Sequence, residues 1–341
     1  MNTTIAWKQT SRGISFKECY ITKLKKNIFV LILILTVLFI SCATNSNTAY
    51  SYNRENPYPG MEILRYANSQ AYLFSNESSD KLIIVIEGGG WSSVLGLKQD
   101  GIWVEVQSGS QFLQELGNNY NFLILEKLGR QPGMDYIEDM EDRANYTAEN
   151  LLACYSESIN SYLADHAFSS IILIGVSEGA LLLPLVYEQM INKNGVVAMV
   201  SIGYGGLSMY EHYKIISTTR SGIPSEVAEM FADLLDTYNP GKTDFPNSFE
   251  EDHYGRTYRY DNSFMHIRPF DYYKNINIPI LFIHGRIDSN VVAESTAYIQ
   301  ENLPKKPFVY WYFPWAHQPG NLKELIQFRE MVAEWIRETD K

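Results

Sequence analysis

The stretch Ile171-Ile172-Leu173-Ile174-Gly175-Val176-Ser177-Glu178-Gly179-Ala180 decides the fold. Its first four residues form an uninterrupted apolar run, as expected of a strand buried on both faces. Gly175, Ser177 and Gly179 follow at alternate positions, and Glu178 to Ile191 then has the composition of a helix. A strand that becomes a helix so abruptly holds Ser177 in a strained backbone conformation. The small residues two positions to either side let strand and helix pass close together. Ser177 is therefore a candidate nucleophile. The bare pattern GxSxG also fits a glycine-rich turn with an ordinary serine, so the strand before it and the helix after it carry the argument.

Outward from this stretch, short β-rich runs alternate with helical patterns from about residue 60 onward. Strands are predicted at Ala71–Phe74, Leu82–Glu87, Phe122–Glu126, Ile171–Gly175, Val196–Ile202, Ile278–Ile283 and Phe308–Phe313, with a first strand at Met61–Tyr66. Helices are predicted at Thr147–His166, Glu178–Ile191, Ala293–Leu303 and Leu322–Arg337. That alternation predicts an α/β fold, a mostly parallel, doubly wound sheet of about eight strands with helices on both faces. One stretch breaks it. Between Gly203 and Asn277 the chain is rich in Tyr, Phe and Met, with a helical pattern at Ser225–Tyr238 and a Pro/Gly/Asn-marked segment at Asn239–Asn247. A structureless loop of that length is unusual in a compact domain, so residues 203–277 are expected to form a lid or cap insertion.

Residues 60–341, with the turn Gly175 to Gly179 as a nucleophile elbow, resemble the α/β-hydrolase fold family, in particular its esterases, lipases and prolyl-oligopeptidase-like enzymes. The resemblance implies a catalytic acid and then a histidine, each on a loop after a late strand. Ile280-Leu281-Phe282-Ile283-His284-Gly285-Arg286-Ile287-Asp288 is a β-run ending in HGxxD, similar to the acid loop of those enzymes, and makes Asp288 the candidate acid. After the last apolar strand, Pro314-Trp315-Ala316-His317-Gln318-Pro319-Gly320 presents a single histidine. Of six histidines, His317 alone has the required order and position, while His284 is expected to support the acid loop. Glu87-Gly88-Gly89-Gly90-Trp91 resembles the HGGGW oxyanion loop of lipases and esterases, with Glu87 in place of the usual His. The oxyanion donors implied are the backbone amides of Gly88, Gly89 and Glu178. The three glycines are also compatible with a merely flexible turn.

These expectations describe a serine hydrolase that cleaves a small-molecule ester, or a related acyl bond, through an acyl-enzyme intermediate and without a cofactor. No metal-ligand spacing such as HExxH or paired Cys/His occurs. Two alternatives stay open, a peptidase of the prolyl-oligopeptidase type and a catalytically inactive surface binding protein on the same fold. The chain is too short for the β-propeller that accompanies prolyl oligopeptidases, which favours ester hydrolysis.

Composition narrows the partners. The net charge is -11, and residues 1–41 contain six Lys/Arg against the single acid Glu18, so the remainder is more acidic still. Such a body repels phosphate backbones, and nucleic acid is not an expected partner. Lys23-Leu24-Lys25-Lys26, the apolar run Ile28 to Ile40 and then Ser41-Cys42 have the order of a signal peptide. Phe39-Ile40-Ser41-Cys42 resembles a bacterial lipobox, which implies lipid attachment at Cys42. Residues 42–59 would then be a polar tether, and the protein would be exported and lipid-anchored to a bacterial membrane. A plain signal peptide and an anchor helix are the alternatives, the second disfavoured because the run is short for a bilayer span. Three cysteines cannot build a disulfide framework, and Cys154 is expected to be a buried, inert thiol.

Overall fold

The structure, a computed structural model, describes residues 61–90, 93–99, 102–105, 112–130, 145–219, 225–248, 250 and 256–341. Cys42, the whole of segment 1–59 and Trp91 lie outside the described residues. Along the chain the elements are β1 (Met61–Arg65), β2 (Gln70–Phe74), β3 (Lys81–Ile86), β4 (Leu95–Gln99), β5 (Ile102–Glu105), α1 (Leu113–Leu116), β6 (Asn121–Leu125), α2 (Ala148–Asp165) and β7 (Ser170–Val176). They continue as α3 (Glu178–Gln189), β8 (Val196–Ile202), α4 (Met209–Thr219), α5 (Ser225–Thr237), α6 (Tyr258–Phe264), α7 (Phe270–Tyr273), β9 (Ile280–Gly285), α8 (Glu294–Asn302), β10 (Phe308–Phe313) and α9 (Leu322–Thr339).

Eight strands form one sheet in the order β1-β2-β6-β3-β7-β8-β9-β10, and β4 pairs with β5 as a separate ribbon. β1 and β2 are antiparallel to each other, and β2 is antiparallel to β6. From β6 to β10 every pairing is parallel. Parallel neighbours need crossover helices, which cover both faces of the sheet and explain why the central strands are apolar without alternation. All seven residues of β7 are buried.

Side chains alternate between the two faces along each strand. Leu82, Ile84 and Ile86 pack with Leu151, Tyr155 and Ile159 of α2 and Leu181 to Leu183 of α3. Ile83 and Val85 face the other way, toward Phe112, Leu116 of α1 and Phe328, Val332 and Ile336 of α9. Helix starts follow the capping chemistry of the sequence, for Thr147 accepts the amide of Asn150 and Asn321 accepts that of Glu324. Inside α3, Pro184 has no N–H for the Ala180 carbonyl, and the Tyr273 hydroxyl stands 3.5 Å from that orphaned oxygen.

The predicted strands and helices appear with ends displaced by at most two residues, as at β9, which starts at Ile280 rather than Ile278, and at α3, which ends at Gln189 rather than Ile191. The β4–β5 ribbon was not anticipated, although Asp100-Gly101 between two β-rich runs is a hairpin signal. Among the described residues, the 203–277 stretch contains four helices, of which α4 and α5 pack together through Tyr213, Ile216, Phe231 and Leu234.

Cys154 lies buried on α2, and burial, with the charges of Glu157 and Glu126, pushes its thiol up to about 12. The reactive thiolate is therefore nearly absent at pH 8. Peptide mapping after iodoacetamide treatment at that pH should find Cys154 unmodified in native protein and alkylated in urea.

Candidate active site

Ser177 has φ 53° and ψ -115° and is, among the described residues, the single non-glycine at positive φ. Such a conformation costs about 1–3 kcal/mol and persists only where its surroundings over-determine it. Here the Ser177 amide donates to Ile202 O at 2.7 Å, and the Ser177 carbonyl accepts from Ala180 and Leu181. The flanking glycines are steric necessities. A Cβ on Gly179 would stand 2.2 Å from Ile86 O, and one on Gly175 would stand 2.7 Å from Gly179 O. The start of α3 thus rests directly on the end of β3.

The end of β9 builds the acid loop. Gly285 admits no side chain, because a Cβ there would fall 1.8 Å from the carbonyl oxygen of Ala316 in the histidine loop. The two loops are further joined by Arg286 N donating to Phe313 O and Ile287 N donating to Trp315 O. Asp288 is fully buried, and its oxygens divide the work. Oδ1 accepts the amides of Asn290 and Val291, which shapes the turn, while Oδ2 lies 2.6 Å from His317 Nδ1. Burial alone would raise the Asp288 carboxyl, but the hydrogen bond and charge of His317 and the Val291 amide hold it below its ordinary value. It therefore stays an acceptor, which makes His317 Nδ1 the protonated nitrogen and leaves Nε2 to act as a base.

The His317 ring lies over Gly203, its Cε1 3.0 Å from where a Cβ would stand. Gly203 directly follows Ile202, the residue that receives the Ser177 amide, so the backbone end of β8 brings Ser177 and His317 to one place. Among the described residues the two side chains share no hydrogen bond. His284, expected to support the loop, does so through Thr296 Oγ1 at 2.8 Å and Val291 O at 2.9 Å. His212 of α4 accepts the Val292 amide and adds a second brace to the acid loop that carried no sequence signal.

Gly88 is buried, Gly89 and Gly90 are exposed, and Gly90 has φ 116°, a backbone conformation suited to glycine. The loop runs against the turn that carries Ser177, because a Cβ on Gly89 would stand 2.9 Å from Glu178 Oε2. That carboxylate accepts hydrogen bonds from Tyr146 at 3.0 Å and from Tyr260 of α6. Burial, then the charge of Glu178, raises both phenols well above their ordinary values, so they remain donors. Sequence reasoning missed these two tyrosines, which stand 32 and 82 residues from Glu178. It also missed Glu126 and Lys127, although two charges closing the wholly apolar run Phe122 to Leu125 are an available signal. Among the described residues, no three His, Cys, Asp or Glu side chains converge where they could hold a metal ion.

Neither a protein-family model nor a curated protein matches the sequence. Solved structures do match the fold. An acylaminoacyl peptidase of Pyrococcus horikoshii aligns with 81% of this chain at 13% identity and a TM-score of 0.54, and this chain spans 41% of its length. An esterase of Pyrococcus furiosus aligns with 82% of the chain and 91% of its own length, at 16% identity and a TM-score of 0.53. Est1E of Butyrivibrio proteoclasticus aligns over 82% and 98%, with 18% identity and a TM-score of 0.52. With the strand order above, these place the chain in the α/β-hydrolase fold.

Proposed function

We propose that this α/β-hydrolase-fold chain is a serine hydrolase that cleaves a carboxylic ester or related acyl bond. The proposal is supported by a strained Ser177 whose amide bonds Ile202 O, and by a His317 that lies against the neighbouring Gly203 with its Nδ1 2.6 Å from buried Asp288. In this reading Ser177 Oγ attacks the carbonyl carbon as His317 Nε2 takes its proton. Asp288 fixes the tautomer and stabilises the imidazolium. The amides of Gly88, Gly89 and Glu178 hold the tetrahedral oxyanion, each donor being worth about 3 kcal/mol in the transition state. His317 then protonates the leaving alcohol, and water, deprotonated by the same imidazole, releases the acid and restores Ser177.

Ser177→Ala should lose turnover of a p-nitrophenyl butyrate ester by about 10³-fold or more, and His317→Ala by a comparable factor, because the members act as a unit. Labelling by a serine-directed fluorophosphonate should vanish in Ser177→Ala while circular dichroism stays unchanged. Activity within a few-fold of the parent in Ser177→Ala would refute the assignment.

Residues 203–277 reach the site from two directions, through Tyr260 to Glu178 and through His212 to the acid loop. We propose that this insertion acts as a lid that selects the acyl group. Replacing Ser225–Thr237 by a short Gly/Ser linker should change the ratio of kcat/KM for butyrate and octanoate esters. An unchanged ratio in folded protein would remove the lid role.

The N-terminal pattern supports export and lipid anchoring at Cys42. Mass spectrometry of the mature protein should find an N-terminal, acylated Cys42, and partition into a detergent phase should be lost in Cys42→Ala. A different mature N-terminus rules the anchor out.

A further inference from the structure

The first segment of the insertion is docked on α8, the helix that follows the acid loop. Gly205 lies against the backbone of Ser295, with no room for a Cβ. The Gly206 amide donates to Ser295 O at 2.9 Å, and the Leu207 amide donates to Ser295 Oγ at 3.0 Å. Val292, which leads into α8, is fully buried in the same apolar cluster as Tyr213, Ile216, Phe231 and Leu234 of the insertion. The acid loop and the insertion thus share backbone contacts and a core.

Within that contact, one peptide unit is gripped from both sides. The C=O of Val291 and the N–H of Val292 belong to the same planar unit and point in opposite directions. His284 Nε2, at the end of β9, lies 2.9 Å from Val291 O, and His212 Nδ1, on α4, lies 3.1 Å from the Val292 nitrogen. A carbonyl only accepts and an amide N–H only donates, so His284 Nε2 carries a proton and His212 Nδ1 does not. Burial lowers both imidazoles, His212 to about 3, so both rings are neutral at pH 7 and keep these roles.

The neighbouring amides complete the path to the acid. Asn290 N and Val291 N donate to Asp288 Oδ1 at 2.8 and 3.0 Å. The amides of 290, 291 and 292 therefore end on two acceptors, the first two on Asp288 and the third on His212. Asp288 Oδ2 is left to His317, 2.6 Å away. The peptide units on either side of Val291 meet at its Cα, so loosening the Val292 amide loosens the aim of the Val291 amide. Without an acceptor the Val292 N–H would be buried unpaired, and the turn would shift to find another partner. His212 is itself buried, its ring 4.9 Å from that of Tyr204, which follows the Gly203 that lies beneath His317.

We propose that His212 is a positioning residue for Asp288. By accepting the Val292 amide it fixes the turn in which backbone donors fill Oδ1 and Oδ2 faces His317. The insertion then aligns the acid, in addition to the selection of acyl groups proposed for it above. This role rests on the serine-hydrolase reading.

The test compares His212→Phe, which keeps a ring but offers no acceptor, with His212→Asn, whose side-chain oxygen takes the place of Nδ1. Turnover of p-nitrophenyl butyrate is counted per Ser177 labelled to completion by a fluorophosphonate, so unfolded protein does not enter kcat. His212→Phe should lower kcat about tenfold or more with KM held within about twofold, and His212→Asn should keep kcat within about threefold of wild type. A hydrogen bond to a carboxylate deshields its proton, so the downfield 1H resonance of His317 Nδ1, assigned by its absence in His317→Ala, reports the pair directly. It should be present in wild type and His212→Asn and shifted or lost in His212→Phe. Wild-type kcat or an unmoved resonance in His212→Phe, or a kcat in His212→Asn as low as in His212→Phe, would overturn the role. If His212→Phe does not fold, His212→Leu is read in its place. If neither folds, a folded His212→Asn with wild-type kcat and resonance upholds the role, and one lacking either overturns it. The two levels fail separately. Labelled, active wild type with an unchanged His212→Phe removes His212 alone, whereas wild type with neither turnover nor labelling removes the serine-hydrolase reading and this role with it.

Discussion

The contact between the first turn of α3 and the end of β3 governs the site. Gly179 lies against the carbonyl oxygens of Ile86 and Glu87, at a distance that excludes even a methyl group. Those residues lead into Gly88, so the Gly88–Gly90 loop and the turn that carries Ser177 are registered to each other by backbone contact. The strained Ser177 is one cost of this approach, and hydrogen bonds from both sides of the turn offset it. A similar backbone contact recurs at Gly285, where the histidine loop crosses the acid loop with no room for a Cβ. Two glycine crossings thus set the geometry from which His317, Asp288 and Ser177 project.

Charge is the second organising constraint. Asp288 is buried, yet the hydrogen bond and charge of His317, together with the Val291 amide, favour its ionised form, and the Asn290 amide also donates to it. His284 and His212 serve the same loop as neutral rings, since burial lowers both below the ordinary imidazole value, His212 to about 3. Glu178 is a further carboxylate at this turn, its side chain lying close to Gly89. Its two oxygens are taken up by Tyr146 and Tyr260, and Lys127 contributes a compensating positive charge nearby. Helix α6 therefore reaches into the electrostatics of the turn that carries Ser177.

Much of this was legible in the chain itself. Buried parallel strands are continuous apolar runs, so β3, β6, β7 and β8 announce themselves, and Thr147 marks a helix start through its capping chemistry. Ser177 was readable because a strand-to-helix turn of this tightness demands small residues at 175 and 179. Asp288 and His317 were readable because each follows a late strand in the order that the resembled family uses. These are local signals, carried by a few consecutive residues.

What the tertiary structure alone decided is spatial neighbourhood. No local pattern says that β6 lies between β2 and β3, and that placement delivers Glu126 and Lys127 beneath the glycine loop. Tyr260 meets Glu178 across 82 residues, and His212 meets Val292 across 80. Side chains such as these are chosen by which surfaces the fold brings together, and a phenol or imidazole reads the same in sequence whether it packs, braces or is exposed. The sequence determined the chemistry that its turns can carry, because backbone strain and close approach restrict residue type locally. The partners that hold that chemistry in place were decided by the folded sheet, because hydrogen bonds and charges act through space rather than along the chain.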